Sequence, residues 1–281
     1  MQTPVQSPAS GLSASLGNAV IAITGAANGI GLTLARHFAA NGARVVIADL
    51  DIERATSAAR ELEAQGHTVL PIALDVRNPE ECRRMVRDIA NAFGRLDVMV
   101  CNAGIVGIKQ FFDLEEADWD GALAVNIKGV FFCMQAAARQ MMMQEPLSPG
   151  RPRGKIINMA SIAGRYIGGP MAQYQAPYRA TKAAVISLTQ TAAHTLAPHI
   201  TANAICPGLV ATDMWKRIDS ALATIENGQE GDAFARRVST VPMGRAQTPD
   251  DIAGLALFLA SAASDYMTGQ ATNIDGGLVL S

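Results

Sequence analysis

Residues 19–31, AVIAITGAANGIG, decide how the rest of the chain is read. A five-residue apolar run from Ala19 to Ile23 meets a cluster of glycines, and an amphipathic pattern follows from Gly29 to Ala40. A short continuous apolar run suits a parallel strand covered on both faces. The longer period after it suits a helix. Gly25, Gly29 and Gly31 therefore fall in a strand-to-helix turn, spaced GxxxGxG where the general fingerprint is GxGxxG. Glycines there permit a tight turn and close approach of backbone to a pyrophosphate, which a helix N-terminus attracts through its N–H groups and dipole. In this position the turn predicts a phosphate-binding site.

Outward from it the chain alternates. Strands are expected over 43–50, 68–75, 97–101, 155–159, 201–206 and 271–274, and helices over 52–65, 79–93, 116–143, 178–196 and 249–260, the 116–143 helix with a possible break near Gly129. Asn41-Gly42 and Gln65-Gly66 supply helix stops, and Asn78-Pro79 places a cap before a proline. Alternating β and α predicts an α/β fold: a doubly wound, Rossmann-type parallel sheet of about seven strands with helices on both faces. Residues 19–281 read as a single domain and 1–18 as a disordered Ser/Ala/Gln/Pro-rich leader. Residues 144–154 (QEPLSPGRPRG) read as an exposed loop and 214–241 as a less regular region.

The totals exclude several classes. Of 281 residues, 49% are hydrophobic and 17% charged, with a net charge of −2 and no block of like charges, so no footprint for nucleic acid is present. Cys82, Cys101, Cys133 and Cys206 are scattered without a CxxC pair, and the four histidines make no ligand pattern; no metal site is expected. The N-terminus lacks the basic and apolar regions of a signal peptide, and no uninterrupted apolar run is long enough to span a bilayer. The expectation is a soluble cytoplasmic protein with no membrane partner.

The chemistry centres on residues 161–182, SIAGRYIGGPMAQYQAPYRATK. Tyr178 and Lys182 are four apart, on one helix face, so an ammonium can lie beside a phenol. A tyrosine titrates ordinarily near 10, and a neighbouring cation is the direct way to make it a base at neutral pH. YxxxK alone is a weak signal. Asp49, about 20 residues past the glycine turn, is placed to hydrogen-bond the adenosine ribose. Its charge would repel a 2′-phosphate, and no Arg or Lys follows it directly, which favours NAD. Asp51 reads as a helix cap.

With these residues in order the chain resembles the short-chain dehydrogenase/reductase family. The resemblance runs from about Ala19 to the C-terminus through TGAANGIG at 24–31, Asp75, CNAG at 101–104, Asn126, Ser161, YRATK at 178–182 and PGLVAT at 207–212. It implies that Gly25, Asn28, Gly29, Ile30 and Gly31 hold the pyrophosphate, with Asp49 and Leu50 at the ribose and Asp75 and Val76 beside the adenine. Asn102, Ala103 and Gly104 would line the adenosine and central part of the dinucleotide, and Pro207, Gly208, Val210 and Thr212 would meet the nicotinamide. Asn126, Ser161, Tyr178 and Lys182 would form a catalytic tetrad, Asn126 by positioning a water in a proton relay and Lys182 also on the nicotinamide ribose. The implied reaction is hydride transfer between a secondary alcohol and NAD. The sequences KIINMAS, ATKAAVISLTQ and DYMTGQATNIDGG are similar to the polyol (sorbitol-type) branch, so a sugar alcohol is the expected substrate. A 3-oxoacyl or hydroxysteroid-type ketone reductase, or a silent NAD-binding sensor, are the alternatives. The family usually forms homotetramers, and residues 213–241 would be its substrate lid, whose charged and amide groups suit a hydroxylated substrate.

Two departures stand out. Cys101 occupies the position of a family Asn and is expected to be structural, since no cation near it in sequence lowers a thiol pKa. Ser161 and Tyr178 are 17 apart where relatives commonly show 13. Tyr174 sits at 13, but no Lys stands four residues beyond it. Residues 168–177 therefore read as carrying about four inserted residues, with Tyr178 as the base and Tyr174 in a loop or at the substrate pocket.

Overall fold

The computed structural model describes residues 16–165 and 171–280. Residues 1–15 of the expected leader and part of the expected insertion (166–170) lie outside the described residues. Leu16 itself is buried, with its N–H donated to Asn41 C=O, so packed structure reaches three residues further towards the N-terminus than the sequence pattern indicates.

Seven strands form one parallel sheet in the order β3-β2-β1-β4-β5-β6-β7. They are β1 (Val20–Thr24), β2 (Arg44–Asp49), β3 (Val69–Ala73), β4 (Val98–Cys101), β5 (Gly154–Met159), β6 (Ile200–Pro207) and β7 (Ala271–Ile274). Every residue of β1, β4, β5 and β6 is buried, which is why their sequences run apolar without alternation. Helices α1 (Gly29–Ala40), α2 (Ile52–Glu63) and α9 (Pro249–Ala260) pack their apolar stripes on one face of the sheet. Helices α3 (Pro79–Phe93), α5 (Val130–Met142) and α6 (Ala176–Leu196) cover the other. The expected doubly wound sheet is what the chain forms. Local chemistry closes its ends: Asp51 and Asn78 cap α2 and α3 by accepting N–H bonds from Arg54 and Glu80, and Gly94 ends α3 in the left-handed conformation.

Two stretches differ from the sequence reading. The long 116–143 helix is α4 (Glu116–Leu123), a π-helical turn (Ala124–Gly129) and α5. The expected interruption is real, but it is an inserted residue's worth of widened helix centred on Asn126, not a break at Gly129. Gly129 instead allows contact: a Cβ there would stand 2.8 Å from the Val76 side chain. Taken whole, Glu116–Met142 spans 27 residues and is long and apolar enough by length and composition to cross a membrane, although charged residues interrupt it; half of its most apolar 18-residue window is buried inside this fold. Lastly, the region read as irregular forms two helices, α7 (Asp213–Glu226) and α8 (Asp232–Val238). The Trp215, Ile218, Leu222 spacing that builds α7 was there to be read; the charges and glycines around it masked it.

Candidate active site

Strands β1 and β4 are neighbours whose following helices lie on opposite faces, and the crevice at their carboxyl ends is where such sheets bind ligands. A cleft of about 850 Å³ opens there. Of the catalytic and cofactor-binding residues expected from the sequence, all except Gly31 and Asn126 line it.

The glycine turn is built by close contact. Gly25 and Gly29 have φ of +63° and +54°, the left-handed region that glycine adopts without strain. A Cβ on Gly31 would stand 2.4 Å from the Gly25 carbonyl and 2.7 Å from Asn102 Nδ2, so Gly31 lies under the turn and not on the cleft wall. Asn102 explains that contact: its Nδ2 donates to the Thr24 and Gly25 carbonyls at 3.0 and 2.9 Å, pinning the turn from below. Thr24 Oγ1 returns the tie by accepting from the Asn102 and Ala103 N–H groups. Asp49 accepts from Ala27 N at 2.9 Å and from Asp51 N at 3.1 Å, so it fastens the same turn from the end of β2. Helix α1 then opens with no side-chain cap and no acid in its first turn, leaving its N-terminal N–H groups for an anion. Further along the rim the Arg77 guanidinium grips Asp75 through both carboxylate oxygens and holds that carboxyl below its ordinary range.

At the other end, Ser161 follows β5 and Tyr178 and Lys182 lie in the first two turns of α6. Gly164 lets these segments touch: a Cβ on it would be 2.5 Å from the Lys182 carbonyl carbon. Ser161 accepts from Ala163 N at 3.1 Å and is hydrogen-bonded to the Tyr178 side chain, which opposes the upward shift that burial imposes on the phenol. Lys182 Nζ lies 5.6 Å from the Tyr178 ring centroid and donates to the Met159 carbonyl at 2.7 Å. Lys182 is only 4% exposed, and burial brings its pKa down to about 8. The expectation that Lys182 lowers Tyr178 is therefore not met by the folded chain alone: desolvation dominates at both groups and favours their neutral forms.

Asn126 is 0% exposed and sits behind the cleft wall. Its Oδ1 accepts from Ile105 N and its Nδ2 donates to Ile105 C=O, each at 2.9 Å, and Nδ2 also donates to Thr181 Oγ1 at 3.1 Å. The π turn aims it there. Pro207 and Gly208 end β6, and Gly208 packs against the C-terminal segment: its N–H donates to Ile274 C=O, and a Cβ would be 2.8 Å from Asp275 Cα. Cys101 is buried and desolvation pushes its thiol far up, which fits a structural role.

From the region expected to be a lid, Met214 and Trp215 line the cleft on α7 together with Arg217, Ile218 and Ala221, which the sequence reading did not single out; Ile105, Val106 and Ile108 line it too. Of the other groups read there, Lys216 pairs with Asp213 on the surface, Glu226 pairs with Arg236 and Arg237, and Asn227 is the left-handed residue ending α7. Asp219, buried, joins the two lid helices by accepting from the Gly231 and Phe234 N–H groups. Tyr174 packs into the lid's apolar cluster with Ile218 and Leu222 and stays off the cleft wall, as a loop residue. Among the described residues no cluster of potential metal ligands occurs.

A glycine turn under an uncapped helix, with a Ser–Tyr–Lys group across the same crevice, defines a dinucleotide-dependent oxidoreductase of the Rossmann class. A family model described as enoyl-(acyl carrier protein) reductase matches residues 25–279. The chain is 43% identical over 264 residues to galactitol 2-dehydrogenase of Agrobacterium fabrum, covering 93% of this chain and 98% of the relative. It is 39% identical over 259 residues to diacetyl reductase [(S)-acetoin forming] of Staphylococcus epidermidis, covering 92% and 97%. Among solved structures, a gluconate 5-dehydrogenase from Burkholderia cenocepacia in complex with NADP and tartrate superposes with a TM-score of 0.82 at 34% identity, covering 95% of this chain and 98% of that one. The chain belongs to the short-chain dehydrogenase/reductase family, whose members bind a nicotinamide cofactor.

Proposed function

We propose that the protein is an NAD(H)-dependent oxidoreductase that interconverts a polyol or related secondary alcohol with its ketone, using Tyr178 as general acid and base. The observation that carries this reading is the convergence of Ser161, Tyr178 and Lys182 on a cleft whose far end is an uncapped helix N-terminus behind a glycine turn. Gly25, Asn28, Gly29 and Ile30 would hold the pyrophosphate and Asp49 the ribose. When bound, the dinucleotide supplies the hydride acceptor or donor, and in its oxidised form a positive charge beside the phenol.

The chain's own residues handle the proton. Tyr178 takes it from the substrate hydroxyl in oxidation and returns it in reduction. Ser161, already bonded to the phenol, offers its hydroxyl to the same substrate oxygen and steadies charge that develops there. Lys182 supplies a cation beside the phenol below a pH of about 8. NAD is favoured over NADP because Asp49 repels a 2′-phosphate and the nearby guanidiniums are engaged, Arg77 by Asp75 and Arg54 by Asp51. Likeness to galactitol 2-dehydrogenase supports the polyol. The apolar face that α7 turns to the cleft supports a second reading, a short vicinal diol or hydroxyketone, the chemistry in the diacetyl reductase's name. On family grounds we place the enzyme in the cytoplasm as a homotetramer.

The test is NADH appearance with a panel of hexitols, butane-2,3-diol, simple alcohols and 3-hydroxyacyl compounds. Hexitols turned over well above the rest support the polyol; preference for the small diol selects the second reading. Tight NAD binding with no turnover of any of them sinks both and leaves a sensor.

A further inference from the structure

We propose that Thr181, the residue between the base and the lysine of the YRATK segment, is a positioning residue that locks the Tyr178 turn of α6 to the cleft wall through Asn126. The inference rests on the acid–base role of Tyr178 given above. Thr181 is fully buried. Its Oγ1 donates to the Tyr178 carbonyl at 2.8 Å and accepts from Asn126 Nδ2 at 3.1 Å.

The direction of every bond in this chain is fixed by elimination. Ile105 N–H can only donate and Ile105 C=O can only accept, so the Asn126 amide has one orientation. Both Nδ2 hydrogens are then committed, one to Ile105 and one to Thr181, and the Thr181 hydroxyl has no choice but to give its own proton to Tyr178 C=O. The result is a one-way path from the cleft-lining Ile105, through the π turn, to the backbone of the proposed base.

Its location gives it leverage. A Cβ on Gly104 would stand 3.4 Å from Asn126 Oδ1 and 3.5 Å from Lys182 Nζ, so the loop after β4, the π turn and α6 meet at one crowded point. Removing the Thr181 hydroxyl leaves a buried Asn126 N–H without its partner, a defect that burial makes expensive to tolerate. The defect is relieved by letting the π turn and the first turns of α6 slide, and proton transfer is sensitive to such displacement. Nothing in the path touches the glycine turn. The signature is therefore a loss in turnover with dinucleotide affinity kept.

The experiment compares Thr181→Val, which keeps the shape and deletes the hydroxyl, with Thr181→Ser, which keeps the hydroxyl. Thr181→Val is expected to lower kcat on the order of tenfold or more with the NAD Kd within about twofold of wild type, and Thr181→Ser to recover most of that loss. Hydrogen exchange at the Ile105 amide gives a readout that needs no substrate, and is expected to quicken in Thr181→Val and not in Thr181→Ser. If Thr181→Val does not fold, Thr181→Ala takes its place, with the same ordering against Thr181→Ser. Wild-type kcat in the hydroxyl-free variant, equal losses in Val and Ser, or loss of NAD binding in step with loss of turnover would each overturn the proposal. Should the wild type oxidise no alcohol on the panel, the proposed reaction fails, and the exchange measurement still decides whether Thr181 holds the clamp.

Discussion

The two ends of the cleft are held together by different means. The glycine-turn end is a backbone construction: Asn102, Thr24 and Asp49 bond to main-chain groups of the turn, and two glycines adopt positive φ because the path demands it. The end formed by α7 and α8 is a side-chain construction, a small cluster of Ile218, Leu222 and Ala233 with Trp215 leaning on Phe234 at 5.3 Å. Backbone constraints admit few residues and fix geometry tightly; packing admits many residues of about the right size. The first end is therefore suited to a ligand that never changes, the second to one that varies between relatives. Ser161, Tyr178 and Lys182 lie at the seam.

The sharpest way to break this division is at the seam itself. Tyr178→Phe is expected to cost about 10²- to 10⁴-fold in kcat while NAD binding, seen by nucleotide fluorescence, is kept. Tyr174→Phe should leave turnover close to wild type, since that residue belongs to the lid's packing; the reverse outcome would move the base to Tyr174. Next in size is Lys182→Met, read by denaturation. A buried lysine whose folded pKa has fallen from 10.5 to about 8 carries a penalty below pH 8 that is relieved as pH rises from 8 towards 10.5. The shift corresponds to a penalty on the order of 3 kcal/mol. The methionine variant should thus equal or exceed wild-type stability at neutral pH, with its advantage shrinking above pH 8, although its turnover is lost. A stability gap independent of pH would contradict the placement of a charged Lys182 in that interior. Smallest is a matched pair. Asp49→Ala should weaken NAD binding about tenfold and improve relative use of NADP, whereas Asp219→Ala, by freeing α8 from α7, should raise the substrate KM with the NAD Kd unchanged. If both variants shift the same parameter, the two ends are not independent.

How much was legible follows the same line. TGAANGIG and YRATK were readable because a positive-φ turn and an i,i+4 Tyr–Lys pair each demand residues of one kind at one spacing. The parallel sheet and its two covered faces followed from continuous apolar strands alternating with amphipathic helices, but the order of the strands came only with the structure. What escaped depends on contacts across long sequence distances. The partners of Asn126 lie 21 and 55 residues away, and nothing local to 124–129 announces a π turn. The charged residues of 213–241 were read as suited to a substrate because sequence cannot show that Lys216 pairs with Asp213 and Glu226 with Arg236 and Arg237. The buried environment that raises Tyr178 and lowers Lys182 was likewise invisible, because it is made by β5, β6 and α6 together.

The packing of Gly208 on Asp275 has a bearing on biosynthesis. Strand β7 is the edge strand beside β6; its Ile274 carbonyl receives the Gly208 N–H, and Asp275, just past the strand, is the surface on which that glycine rests. Arg165, just past Ser161, is anchored to the same strand through Ala271 and Asn273. A nascent chain that stops short of Ile274 has made every proposed catalytic side chain and still lacks the edge that sets two of the cleft's walls. Incomplete translation products are therefore expected to lack turnover, which the activity of a chain truncated before Ile274 would measure.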